Sequence, residues 1–269
     1  MLFRFIDNVH KDTIYGYANA IQWKKFCSLN YVWKELPHPS SEYEHTMSDK
    51  PASLLTWDTY PTFSAYKSMM QSFVDSFSSI CRLDTIGYSV QRRILLALKI
   101  TSNVNLHEDK PKFFYTSTMH GDETVGYVML LRLADYLLHT YTDSSAEGSR
   151  VRNLVNNCEI WLNPLSNPDG AYRLGGDTTI NNARRYNANG IDLNRNFPDR
   201  INDSNNTING REIETQAMMQ FCTKHNFSLS ANFHGGAQVV NYPYDNGASS
   251  GTYVASPDDN WFKIGRAHV

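Results

Sequence analysis

The pattern of apolar and polar positions divides the chain near residue 56. Upstream, Thr13-Ile14-Tyr15-Gly16-Tyr17 has the composition of a strand, and Ala20 to Phe26 has helical spacing. The stretch PHPSSEYEHTMSDKPAS that follows is polar and rich in Pro and Ser, the composition of a linker. Residues 1–56 therefore read as an N-terminal extension and linker. Downstream the periodicity becomes regular. Pro61 to Phe77 places Tyr66, Met69, Met70 and Phe73 on one side of a helix. Arg92 to Ile100 (RRILLALKI) is a near-continuous apolar run of strand length, and Phe113 to Met119 is a second strand. Thr124 to Tyr141 reads as a helix with Val125, Val128, Met129, Leu133, Tyr136 and Leu137 on one face. Glu159 to Leu162 is a short strand, Glu212 to His225 a helix and Ser228 to Phe233 a strand. Strands alternating with helices, several of them apolar on both faces, imply an α/β sandwich with a buried sheet.

Composition narrows the picture without naming a substrate. The 269 residues suffice for one large α/β domain plus an extension. The net charge of -2 and the absence of a long Lys/Arg run speak against nucleic acid or a charged membrane surface as partner. No stretch is apolar for long enough to span a bilayer, and the N-terminal residues lack the apolar core of a signal peptide. The cysteines, Cys27, Cys81, Cys158 and Cys222, form no CxxC pair, so buried free thiols are expected, with one disulfide as the alternative.

The chemistry concentrates in three places. His120-Gly121-Asp122-Glu123 follows a strand and opens a helix, at the strand end where ligand sites of open α/β sheets gather. The His-x-x-Glu spacing brings an imidazole and a carboxylate within reach of one ion. Zinc favours such donors and, when catalytic, keeps three protein ligands. By itself the pair reads more readily as a surface His and a first-turn Glu that suits the helix dipole. His234, which ends a strand before Gly235-Gly236, is the candidate third ligand. Between them, residues 163–199 form a long polar loop dense in Asn, Arg, Asp and Gly. A loop of that kind in a compact domain is functional or disordered, and its Asn-Pro-Asp-Gly and Asn-Arg-Asn punctuation argues for function. Its arginines are the natural partners of a carboxylate, because the planar guanidinium matches two oxygens.

HGDE at 120–123, NPDG at 167–170, RRYNANGIDLNRNFPD at 184–199 and SANFHGG at 230–236, in that order, resemble the zinc metallocarboxypeptidases. The likeness is to the regulatory branch with carboxypeptidases D, E, M and N, and it covers residues 57–263 as a catalytic domain. It implies a three-layer α/β sandwich with a central mixed, mostly parallel β-sheet flanked by helices. It also implies one zinc ion held by His120, Glu123 and His234, with Asp192 orienting a zinc-bound His. Asn194 and Arg195 match the pair that holds the terminal carboxylate of a peptide or protein substrate. Arg185, in preference to Arg184, matches the arginine that stabilises the oxyanion. Asp245 falls where enzymes preferring C-terminal Lys or Arg place an acid; an Asx turn before Asn246-Gly247 is the equal alternative.

The resemblance implies an extracellular or periplasmic location and a monomer. It also calls for a general-base Glu, with a Tyr nearby, well downstream of Ser256-Pro-Asp-Asp259, and the chain ends at Val269. The tail Ile264–Val269 departs from the family pattern and back-translates into a common sequencing adapter, so residues 264–269 are expected to be non-native. The expected function is hydrolysis of the C-terminal peptide bond, with the polypeptide as it stands inactive. The alternatives are a non-catalytic peptide-binding relative and a zinc amidase or deacylase on a non-peptide amide.

Overall fold

Two faces of one sheet organise the molecule, and the alternation of side chains along its strands decides what packs on each. The computed structural model describes residues 6–18, 20–37, 44–50, 56–173, 176–199, 201, 203–236, 240–244 and 253–266. The N-terminal residues form a hairpin of β1 (Ile6–His10) and β2 (Thr13–Gly16), then helix α1 (Ala20–Cys27). A short strand β3 (Met47–Ser48) pairs in parallel with β4 (Tyr60–Pro61), and His45 binds the Asn181 side chain through both N–H and ring. Helix α2 (Phe63–Ser76) follows, its first turn capped by the Thr62 hydroxyl, which accepts from Ala65 N.

The main sheet has the order β5 (Cys81–Tyr88), β6 (Ile94–Ile100), β8 (Glu159–Asn163), β7 (Lys112–Ser117), β9 (Leu229–Phe233). β6 runs antiparallel to both β5 and β8, whereas β7 runs parallel to β8 and to β9. The sheet is therefore mixed. Leu96, Leu98 and Ile100 of β6 and Ile160 and Leu162 of β8 face a core shared with α2, α3 (Val125–Tyr141) and α4 (Ala146–Asn157). Their neighbours Ala97 and Trp161, with Phe114 of β7, face α6 (Ile213–His225) through Met218 and Phe221. This period of two, apolar on both sides, produces helices on both faces and hence three layers. A one-turn helix α5 (Pro168–Ala171) and a C-terminal helix α7 (Asp259–Arg266) complete the elements.

Several expectations need correction. Strand β5 was not anticipated: CRLDTIGY carries Arg82 and Asp84, which pair with each other at 2.9 Å and mask its apolar alternation. Helix α4 was also missed, because only Gly148, Val151 and Val155 of AEGSRVRNLVNN are buried. On α3 the buried face is Tyr127, Leu130, Leu131, Ala134, Leu137 and Leu138, while Val125 (61% exposed) and Met129 (57%) face outward. The helix is apolar nearly all round, so periodicity alone did not select the packed side. β6 begins at Ile94 rather than Arg92, which sits in the preceding turn with φ +66. All four cysteines are free, as expected, but Cys81 is the buried one and Cys27 is exposed.

Because β7, β8 and β9 are parallel, Ser117, Asn163 and Phe233 end at one edge of the sheet. The segments that follow them, HGDE, NPDG and HGG, are delivered to a common place.

Candidate metal centre

His120, Glu123 and His234 meet at that edge. His120 Nδ1 lies 2.8 Å from Glu123 Oε1, His234 Nδ1 lies 2.7 Å from Glu123 Oε2, and the two Nδ1 atoms are 3.1 Å apart. Each residue offers a ligand atom, and these atoms lie within 4.8 Å of one another. Two imidazoles and one carboxylate with convergent donors are a set that zinc accepts, so the residues present fit that ion. The Gly235 N–H donates to Glu123 Oε2 at 3.0 Å and fixes the carboxylate from the β9 side.

Asp192 stands behind the centre. Its Oδ1 meets His120 Nε2 at 3.2 Å and accepts from Asn194 N at 2.9 Å, and its Oδ2 accepts from Arg185 Nε at 2.9 Å. A carboxylate on the far nitrogen holds that nitrogen protonated and leaves Nδ1 free for an ion. Arg185 reaches toward the centre as well, with Nη1 3.7 Å from Glu123 Oε1. Arg184 instead turns its Nη1 to the Ala183 carbonyl. Asn194 and Arg195 lie on a 3-10 turn (Leu193–Arg195) that starts from Asp192, and Arg195 is exposed. Asp245 lies outside the described residues.

The electrostatics follow from these contacts. Burial alone would raise the Glu123 pKa, but the hydrogen bonds to His120, His234 and Gly235 outweigh it and hold the carboxyl well below the usual range. Burial likewise opposes ionisation of Asp192, yet His120 and Arg185 push it down to about 2. Burial would lower His120, and its bonds to Asp192 and Glu123 win, holding it above its ordinary value.

The polar loop is built to carry this arrangement. Asn167 donates through Nδ2 to the Met119 carbonyl (3.1 Å) and the Arg185 carbonyl (3.4 Å), and accepts from Gly170 N (2.9 Å). A Cβ at Gly121 would lie 2.3 Å from the Gly170 carbonyl carbon and 2.5 Å from Arg184 O, so only glycine lets these three segments close. Asp169 is buried and accepts from Ser89 Oγ, Gln91 N and Arg93 Nη1, tying the loop to the β5–β6 turn.

The residues missed by sequence reasoning are the supporting ones. Asn232 Nδ2 lies 3.0 Å from His234 Nε2; its spacing of two along β9 puts it on the same face, a signal that was available. Glu214 stands in the first turn of α6. It is buried and accepts from Val90 N (3.1 Å) and Asn187 Nδ2 (3.2 Å), while Glu212 Oε2 takes Asn187 Nδ2 at 2.8 Å. Together they pin the turn that precedes Asp192.

The family model for zinc carboxypeptidases matches residues 66–266. The chain belongs to the zinc carboxypeptidase family, peptidase M14, whose metal is zinc. It is similar to human carboxypeptidase D, 39% identical over 197 residues, covering 72% of this chain and 14% of that protein. It is also similar to mouse carboxypeptidase M, at 38% over 202 residues, covering 73% of this chain and 44% of that one. The chain thus spans less than half the length of these curated relatives. Among solved structures, thrombin activatable fibrinolysis inhibitor superposes with a TM-score of 0.65 at 17% identity, covering 81% of this chain and 57% of that one. Carboxypeptidase A from Helicoverpa armigera gives 0.61 at 22% identity, covering 76% of this chain and 51% of that one. At these identities the superpositions speak for the fold: the carboxypeptidase A-like α/β sandwich. No helix among the described residues is long and apolar enough to cross a membrane.

Proposed function

We propose that this chain carries the zinc-binding and substrate-anchoring parts of a metallocarboxypeptidase that removes C-terminal residues from peptides or proteins. The observation that carries the reading is the convergence of His120, Glu123 and His234 at one sheet edge, with the Asp192–Arg185 pair directly behind. A zinc ion held there supplies Lewis acidity toward a carbonyl oxygen and toward water. Asp192 keeps His120 in the tautomer that presents Nδ1. Arg185, held by Asp192, is placed to receive negative charge developing on the scissile carbonyl oxygen. Asn194 and Arg195 receive the substrate's terminal carboxylate; Arg195 is exposed, and the bond its Nη1 donates to the Asn194 carbonyl at 3.0 Å is one that a bidentate carboxylate would replace. Asp245 gives a preference for C-terminal Lys or Arg. The domain division is an extension and linker over 1–56 and a catalytic domain over 57–263. The working state is a monomer in an extracellular or periplasmic setting.

Neither acid at the centre is free to serve as general base. Glu123 faces both imidazoles, and Asp192 is divided between His120 and Arg185. Hydrolysis requires a further Glu within reach of the ion. This leaves a second reading, a peptide-binding relative without a base. The test is an assay of the protein, with zinc and with chelator, on peptides ending in Lys, Arg or Phe. Zinc-dependent binding, with release of one residue when a base Glu is supplied, supports the peptidase. Binding without release in a chain that has such a Glu supports the second reading, and no zinc uptake sinks both.

A further inference from the structure

The loop that holds two of the three metal donors is bridged from its first side chain to its last carbonyl by one hydroxyl. β7 ends at Ser117, and Thr118 then turns the chain with φ +58, in the left-handed region. A β-branched residue is disfavoured there, because its side chain crowds the backbone carbonyls. Thr118 is also fully buried. Its Oγ1 lies 2.9 Å from Ser117 Oγ and donates to the Glu123 carbonyl at 3.2 Å. A hydroxyl has one proton, so donation to Glu123 makes Ser117 the donor of the first bond. The result is a relay from Ser117 through Thr118 to Glu123. On the other side, Asn167 N donates to the Thr118 carbonyl at 3.1 Å, and Asn167 Nδ2 donates to the next carbonyl, Met119, at 3.1 Å. Residues 118–123 thus form a loop whose first side chain binds its last carbonyl, with His120 and Glu123 both inside it. Disfavoured backbone held by surrounding bonds is a recurrent property of functional sites.

We propose that Thr118 is a positioning residue for the metal centre: its left-handed backbone and its hydroxyl bond to Glu123 set the His120 ring and the Glu123 carboxylate at the separation the ion requires, against the conformational preference of the residue. The inference rests on the zinc reading above. It distinguishes Thr118 from a residue that merely fills space, because two of its properties act in opposite directions. The strained backbone destabilises the metal-free fold, and the hydroxyl bond preorganises the donors.

The experiment uses the chain 1–269 in three variants, with zinc affinity measured by competition with a chromogenic chelator. The visible spectrum of the cobalt(II) form and the thermal midpoint of the metal-free protein are read in parallel. Thr118→Gly relaxes the backbone and removes the hydroxyl. It is expected to hold or raise the midpoint while weakening zinc binding by about tenfold, the low end for loss of a residue that orients ligands. Thr118→Val keeps the shape and the strain but removes the donor, and is expected to weaken zinc binding by a similar ~10-fold and to alter the cobalt bands. Thr118→Ser keeps the donor and is expected to bind zinc within about twofold of the native chain, since the orienting bond survives. Thr118→Gly and Thr118→Val with native zinc affinity and native cobalt bands would overturn the inference. So would affinity and midpoint falling together in all three variants without rescue by Ser. A native chain that binds zinc no better than His120→Ala would instead overturn the zinc reading itself, and the inference with it.

Discussion

Replacing Asp192 by Asn removes one charge from the middle of the site and leaves its shape. The Asp192 oxygens are shared among His120 Nε2, Arg185 Nε and Asn194 N. Although burial opposes it, the ionised form is favoured enough by His120 and Arg185 to lower the pKa from the ordinary 3.8 to about 2. At about 1.4 kcal/mol per pKa unit this is ~2 kcal/mol of stability in the metal-free fold, and a side chain 3% exposed loses little of it to solvent. Asp192→Asn is then expected to lower the thermal midpoint at neutral pH by roughly 4–8 °C for a chain of this size. The folded pKa lies below the unfolded one. The contribution is therefore complete above the unfolded value and disappears as pH falls toward 2. The part due to the ionisation of Asp192 itself should be constant above about pH 5 and should shrink below about pH 4, while the part carried through protonated His120, which Asp192 helps to hold, should fade as pH rises above the ordinary histidine range. Zinc affinity should fall by about 10–100-fold, because Asn holds the far nitrogen of His120 without a charge. Circular dichroism melts across this pH range, with chelator competition for zinc, read both quantities. A midpoint gap that stays the same at about pH 3 would show that packing rather than charge is responsible. An unchanged zinc affinity would remove Asp192 from the metal's surroundings.

The other predictions concern the neighbouring contacts. His120 is held above its ordinary pKa by Asp192 and Glu123 in the metal-free chain, so its stabilising contribution is present below the unfolded pKa and is lost as pH rises through the folded one. An incoming metal must displace that proton, so zinc affinity should rise with pH and binding should release about one proton. Calorimetry in buffers of different ionisation heat measures this, and no buffer dependence contradicts it. Gly121→Ala places a methyl 2.3 Å from the Gly170 backbone, and a lowered midpoint with loss of zinc binding is expected. Native behaviour would mean that the three segments are less tightly closed than described. Glu214→Ala leaves Val90 N–H and the Asn187 amide short of an acceptor, at about 1–3 kcal/mol. Faster amide exchange at Val90, and at Ile191, whose N–H donates to Asn187 Oδ1 at 3.0 Å, checks it, and unaltered exchange refutes it.

How much of this was legible without coordinates differs by element. The strands with strong apolar runs, ILLALKI of β6 and KFFYTS of β7, form where their patterns put them to within two residues: β6 starts at Ile94 rather than Arg92, and β7 ends at Ser117 rather than Met119. β5 and α4 were illegible because their own periodicity is weak: β5 buries only Cys81 fully, and α4 buries only Gly148, Val151 and Val155. The active face of α3 was unreadable for the opposite reason, too many apolar positions. At the site, His120, Glu123 and His234 could be named from motif and strand end, and the topology brings them together. Their supports were harder to foresee. Thr118, Asn167 and Glu214 act through backbone carbonyls and N–H groups, which leave no mark in residue type. Arg185 was preferred to Arg184 on spacing alone; the side-chain bonds of Arg185 to Asp192 and of Arg184 to the Ala183 carbonyl depend on the fold and leave no mark in residue type.

The most direct test of the central claim is a binding measurement on the zinc-loaded chain with two peptides that differ only at the end, one a free carboxylate and the other its amide. The account predicts that the carboxylate peptide binds at least about tenfold more tightly, as a charge-assisted bidentate contact should. It also predicts that Arg195→Ala erases the difference and that chelator weakens both. Equal binding of acid and amide by the zinc-loaded native chain would contradict it.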